Sequence, residues 1–149
     1  MYRPLLLILL TLLLAACSST PEPPPAPRQS SAFDGFYQQW RGVPYRMGGT
    51  SRAGLDCSAF TQLAYNQVLG VNLPRTTESQ ANIGQPVDRY RLQHGDLVFF
   101  KTGWQQYHVG VYTGAGEFIH ASTSKGVIRS WLDNVYWNSR YWQARRLTQ

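Results

Sequence analysis

The sequence predicts an α+β domain in which N-terminal helices pack on a mostly antiparallel sheet of five to six strands. Two observations carry this expectation. Before Pro86 the apolar residues recur at helical spacing, whereas after it they gather in short runs of strand character. The connections between those runs are a few glycines or polar residues, too short for the crossover that a parallel pair needs.

The first helix is expected from about Ala32. Phe33, Phe36, Tyr37 and Trp40 follow i, i+3, i+4, i+7 spacing, and Gly42 is a natural stop. Gly35 is its weak point, since glycine disfavours a helix interior. Pro44 to Gly54 reads as a glycine-rich loop, with Gly48-Gly49 allowing a tight backbone path. A second helix spans Cys57 to Leu69, with Asp56 as its N-cap and Gly70 as its end. Thr77-Glu78-Ser79-Gln80 fits a capping box opening a short third helix. Strands are expected at Leu97–Phe100, His108–Tyr112, Glu117–Ala121 and Gly126–Arg129, with a last one at Tyr141–Leu147.

Residues 1–16 stand apart from this domain. Arg3 precedes an apolar run, Leu5 to Leu14, that only Thr11 interrupts. The run is shorter than the ~20 residues that span a bilayer. Leu14-Ala15-Ala16-Cys17 resembles a lipobox, which implies cleavage before Cys17 and lipid attachment to it. By resemblance to bacterial lipoproteins, Ser18 suits sorting to the outer membrane. Residues 17–31 then form a linker, where Pro21, Pro23, Pro24, Pro25 and Pro27 favour extended polyproline geometry. At about 3.1 Å per residue the linker reaches roughly 40 Å. The expected product is a domain, residues 32–149, anchored by lipid to the outer membrane and facing the periplasm.

The chain of 149 residues has a formal net charge of +6, carried mostly by arginine. A basic surface suits an anionic partner. Export and the scattering of the cations exclude nucleic acid, leaving a lipid surface or an acidic polymer.

With Cys17 lipidated, Cys57 is the only cysteine left as a free thiol, and an exported protein keeps an unpaired thiol at some risk. Its place at a helix start suits a nucleophile. A free thiol has a pKa of about 8.5, which a helix N-terminus and a nearby histidine lower. Asp56 opposes that shift and is expected to turn towards the backbone or the substrate. The base has to be a histidine. A hairpin between the strands bearing His108 and His120 brings the two imidazoles together, one to take the thiol proton and the other to orient it. A zinc site built from Cys57, His108 and His120 is the metal alternative, but paired ligands at short spacing are missing. His94 reads as a polar turn residue, and Asp96 as the centre of an Asx-type turn.

Six segments in order then resemble the NlpC-type cysteine peptidases, bacterial cell-wall hydrolases with a papain-like core. They are Val43–Gly49, Leu55–Phe60, Leu73–Thr77, Gly95–Phe100, His108–Tyr112 and Phe118–Ala121. The resemblance covers about Phe36 to Leu147. It implies that Cys57 is the nucleophile, His108 the base and His120 the orienting residue. It places the Tyr45 hydroxyl near the oxyanion. Asp56 and Ser58 fall where such enzymes bind the stem peptide, and Arg75 and Thr76 in a segment lining the cleft. Met47 replaces a frequent aromatic, and Ala59 a frequent glycine that can let substrate approach closely. The implied activity is hydrolysis of peptide bonds in peptidoglycan stem peptides or crosslinks through a thioester, by a monomer without metal or cofactor. The alternatives are an amidase or acyltransferase using the same three residues, and a non-catalytic wall-binding lipoprotein. Trp131, Tyr136, Trp137, Tyr141 and Trp142 are expected in the core, with a glycan groove as the other use for them.

Overall fold

The computed structural model of the chain describes residues 32–147. The leader, Cys17 and the proline-rich linker lie outside the described residues. Helix α1 (Ala32–Trp40) forms despite Gly35 and buries Phe33, Phe36, Tyr37 and Trp40. A small antiparallel hairpin, β1 (Thr50–Ser51) and β2 (Gly54–Leu55), lies inside the segment expected to be loop. Gly49 is required there: a side chain at this position would run into the carbonyl of Gly54. Helix α2 (Cys57–Leu69) starts and stops where local chemistry dictates. Asp56 accepts from Ala59 N, and Gly70 adopts the left-handed conformation that closes the other end.

Helix α3 (Thr77–Gln80) corrects the expected capping box by one residue. Thr76, not Thr77, is the N-cap, its hydroxyl 3.2 Å from Ser79 N. Thr77 is buried against α2, so its hydroxyl is turned inwards and not towards the helix start.

Strand β3 (Gln85–Val87) and a 3₁₀ turn (Arg89–Arg91) lead into β4 (Leu97–Gly103), β5 (Gln106–Gly114), β6 (Glu117–Ser122) and β7 (Gly126–Trp131). Helix α4 (Val135–Arg140) and β8 (Tyr141–Arg146) complete the domain. The six-stranded sheet has the order β3-β8-β4-β5-β6-β7, and every pairing is antiparallel. From β4 to β7 neighbours in sequence are neighbours in space, as short turns require. The exception is β8, which inserts between β3 and β4. Arg146 fixes it there by gripping both carboxylate oxygens of buried Asp96, each at 2.7 Å, while Gln93 N caps the same carboxylate.

Alternation along the strands sorts two cores. Leu97, Phe99, Val109, Val111, Ile119, Ala121 and Val127 pack with α1 and α2. Val98, Phe100, Phe118 and Ala144 form the second cluster with Leu132, and Trp137 and Tyr141 pack against it. Arg129 ties α1 to β7 by pairing with Asp34 and Glu117 and lying over the Tyr37 ring. His94 sits beside Asp34 and the Phe33 ring, away from the lining of the cleft described next.

Candidate active site

The start of α2 is buried for five consecutive residues, Cys57 to Thr61. It opens onto a cavity of about 1160 Å³. Tyr45, Asp56, Cys57, Ser58, Arg75, Thr76, His108 and His120 all line it, so every site residue expected within the domain is brought to one cleft. Ala59 is buried and lies outside the lining, so its methyl does not crowd the cleft as its position in the sequence suggested.

Cys57 is 6% exposed. Its sulfur lies 3.5 Å from Thr77 Oγ1 and meets the N–H groups of Val109 and Ser58. Burial pushes the thiol above its ordinary range; the hydroxyl and the two amides pull it down, and the charge of Asp56 pushes it up again. The net direction is upward. The expected activation by a helix N-terminus is therefore present as donors but is outweighed by desolvation in the resting site.

The two histidines form a directed pair. His108 Nε2 lies 2.8 Å from His120 Nδ1, and His120 Nε2 lies 2.9 Å from Ser130 Oγ. Trp137 stacks on His108 with ring centres 5.0 Å apart and meets His120 edge-on. Burial lowers the His108 pKa to about 4 and holds His120 well below the usual imidazole range, with His108 adding to the effect. Both rings are neutral at physiological pH. Both ring nitrogens of His120 are engaged, Nδ1 by His108 and Nε2 by Ser130, which disfavours a zinc ion shared by Cys57, His108 and His120.

The opposite wall is a clamp. Asp56 Oδ1 accepts from Ala59 N, Ser58 Oγ and Arg75 Nη1; Oδ2 accepts from Gly48 N and Arg75 Nη2. Arg75 also donates to Ser58 Oγ. Burial alone would raise the Asp56 pKa, but Arg75 and these hydrogen bonds hold it below the usual carboxylate range. Asp56 has thus turned to the backbone and to Arg75. The Thr76 hydroxyl is committed to capping α3. Tyr45 is placed by its bridge to Leu55. Its hydroxyl touches Met47 Sδ at 3.7 Å, and burial raises its pKa, an effect that a Cys57 thiolate and the Asp56 carboxylate reinforce, so it stays a proton donor.

Three further residues complete the site. Thr77 stood in a matched segment but read as a helix cap. Ser130 carried no signal until β6 and β7 were in register. Trp137 read as core, and it is both a packing residue and a wall of the cleft. Of the other aromatics, Tyr136 lines the cleft, Trp142 and Tyr141 pack on the two cores, and Trp131 is exposed outside the lining.

A thiol at a buried helix start, an imidazole pair from adjacent strands and a carboxylate–guanidinium clamp share one cleft of an α+β fold. The chain belongs to the NlpC/P60 family, which it matches over residues 42–146. It is 54% identical over 112 residues to the probable endopeptidase NlpC of Escherichia coli K12, covering 74% of this chain and 73% of that one. To the E. coli K12 murein DD-endopeptidase MepS/murein LD-carboxypeptidase it is 47% identical over 111 residues, 74% of this chain and 59% of the relative. The crystal structure of an NlpC/P60 family protein from Bacillus cereus ATCC 10987 matches with a TM-score of 0.70 at 34% identity, over 77% of this chain and 39% of that one.

Proposed function

We propose that the protein is a peptidoglycan endopeptidase that uses Cys57 as its nucleophile. One observation carries the catalytic part: Cys57 and the His108–His120 pair line one cleft, with hydrogen-bond donors gathered at the sulfur. The names of the E. coli relatives support the substrate.

The chemistry follows from the geometry. His108 Nε2 is engaged by His120, so Nδ1 is the nitrogen that takes the thiol proton. The sulfur forms a bond to the scissile carbonyl carbon, and the carbonyl oxygen becomes an oxyanion. The Tyr45 hydroxyl donates to it. The carbonyl re-forms, the C–N bond breaks, and His108 returns its proton to the leaving nitrogen. A water molecule then gives a proton to His108 and its oxygen to the thioester carbon. The C–S bond breaks, and the sulfur recovers the proton as thiol. His120 orients His108 throughout. The wall made by Asp56, Ser58 and Arg75 presents polar groups to the stem peptide, and all of these groups come from one chain, as a monomer requires.

The lipobox and linker support anchoring through Cys17 at the outer membrane, with the domain in the periplasm. The test of the function is a side-by-side digest of muropeptides and casein by the purified domain, read by mass spectrometry. Cleavage of muropeptides and none of casein is expected. Casein cleavage with intact muropeptides overturns the cell-wall reading.

A further inference from the structure

The hydrogen-bond chain that begins at His108 does not stop at His120. His120 is fully buried, and its outer nitrogen meets Ser130 Oγ at 2.9 Å. On β7 Ile128 stands opposite His120 and Ser130 stands opposite Phe118. Residues two apart on a strand share a face, so Ser130 is the diagonal neighbour of His120. It also borders the cleft.

Given the reading of His108 as the base, we infer that Ser130 is a positioning residue: by accepting from His120 Nε2–H, it makes accessible the His120 tautomer whose Nδ1 lone pair faces His108. The reasoning is one of proton direction. His108 Nδ1 takes the thiol proton only if it carries none, so the proton of neutral His108 must sit on Nε2. That N–H needs an acceptor, which is His120 Nδ1. His120 then carries its own proton on Nε2, aimed at Ser130. Reversing the chain puts a proton on His108 Nδ1, where the thiol proton has to go, and the base is disabled.

The two directions contain the same His–His hydrogen bond and differ in what lies beyond it. In the productive one a buried N–H ends the chain, and an N–H without an acceptor carries the full cost of its lost hydration. The Ser130 oxygen removes that cost. Its own O–H remains free to turn towards the cleft. When His108 takes the thiol proton, its positive charge strengthens each bond of the chain in the same direction, with no proton passing beyond His108. A flip of the His120 ring does not solve the problem, because it puts carbons where Nδ1 and Nε2 meet His108 and Ser130. Phe118 stacks on His120 with centres 4.8 Å apart and planes 26° apart, and Trp137 closes its edge at 4.9 Å. Ring orientation is set by packing. Ser130 can also donate to a bare His120 Nε2, so its oxygen does not impose the productive direction; it makes that direction accessible by accepting the N–H that would otherwise be orphaned.

The experiment is two-bond ¹⁵N–¹H NMR of the histidine-labelled domain, which reports the tautomer of each ring without any substrate. Wild-type His120 is expected as Nε2–H. In Ser130→Ala the Nδ1–H form should appear and kcat/KM on muropeptides should fall about ten- to a hundredfold. Ser130→Thr, which keeps the hydroxyl, should recover most of that loss and the wild-type tautomer. A wild-type His120 in the Nδ1–H form overturns the assignment. So does a folded Ser130→Ala protein with unchanged tautomer and unchanged rate. If Ser130→Ala does not fold, the wild-type spectrum and Ser130→Thr decide. A domain with His120 as Nε2–H that cuts no muropeptide supports the role of Ser130 and counts against the proposed substrate.

Discussion

Arg75 lies across the carboxylate of Asp56, Nη1 3.0 Å from Oδ1 and Nη2 2.6 Å from Oδ2. The same carboxylate caps α2 and holds Gly48 N, so one side chain joins the thiol-bearing helix to two walls of the cleft. Asp56→Asn keeps an oxygen for the cap but loses the charge and the bidentate grip. Arg75 retains access to water, its side chain being 40% exposed, which limits the penalty for leaving it unpaired. A stability loss of about 1–3 kcal/mol is expected, with loss of muropeptide turnover while the thiol still reacts with iodoacetamide. Urea unfolding and thiol labelling of the same preparation check this. Unchanged stability and turnover would show that the clamp is ornamental.

Arg75→Lys probes the geometry of that grip and not its charge. An ammonium cannot span two oxygens, and it loses the fork that also reaches Ser58. If the clamp shapes the substrate wall, KM on muropeptides should rise severalfold while kcat changes less. A pure kcat defect would instead place the effect on the thiol or the histidines.

The resting site should hold a neutral thiol beside neutral imidazoles. Burial raises the Cys57 pKa and lowers that of His108 to about 4, so both shifts oppose a standing thiolate–imidazolium pair. Iodoacetamide labelling of the free enzyme should therefore be slow at pH 6 and climb as pH rises past 8. Thr77→Val, which removes the hydroxyl at the sulfur, should move that rise to still higher pH. A labelling rate already at its plateau at pH 5 would establish a preformed ion pair. Turnover should grade differently: His108→Ala nearly as damaging as Cys57→Ala, His120→Asn milder because an amide can still orient a ring.

What could be read from the sequence follows how local each determinant is. Asp56 and Gly70 delimit α2 through contacts within a turn, and both were legible. Cys57, His108 and His120 stand out in the sequence because few residue types do nucleophile and base chemistry, and the fold brings all three to one cleft. The place of β8 was not legible, because it rests on partners such as Asp96 and Arg146, fifty positions apart in the chain. Thr76 and Thr77 are interchangeable as caps on paper, and only packing of Thr77 against the sulfur decides between them. Helix α4 was missed although Asn134 caps it, because its aromatics resemble core residues. Ser130 needed the β6–β7 register, since a serine in a strand otherwise looks like any polar residue.

The anchor should be separable from catalysis. Cys17→Ser is expected to release the domain from the membrane fraction, and a chain beginning at Ala32 should match the full-length enzyme on muropeptides without detergent. The described domain supplies every group of the cleft by itself, which is why no contribution from the anchor is expected. Detergent-dependent activity of the shortened chain would contradict this.

The buried histidines should also make the fold sensitive to mild acid. His108 titrates near 6.5 in the unfolded chain and at about 4 when folded. Between these values the unfolded state binds the proton and the folded state does not, so stability falls as pH falls. The contribution is complete above about pH 6.5, declines through pH 5, and levels off only once the folded imidazole is itself protonated. For His108 alone the full decline is worth roughly 3 kcal/mol, and His120, shifted the same way, adds to it. Asp56 acts in a separate window: its lowered pKa preserves its contribution until pH falls below about 4. Urea unfolding at pH 7.5 and pH 4.5 therefore spans the imidazole window, which includes His94 because burial lowers its pKa as well, and the comparison with His108→Gln singles out His108. The wild-type domain should lose stability between the two, and His108→Gln should lose markedly less, since glutamine has no proton to gain. Equal losses in the two proteins would mean that His108 is solvated or already charged in the fold, and its role as the neutral base would fall with that result.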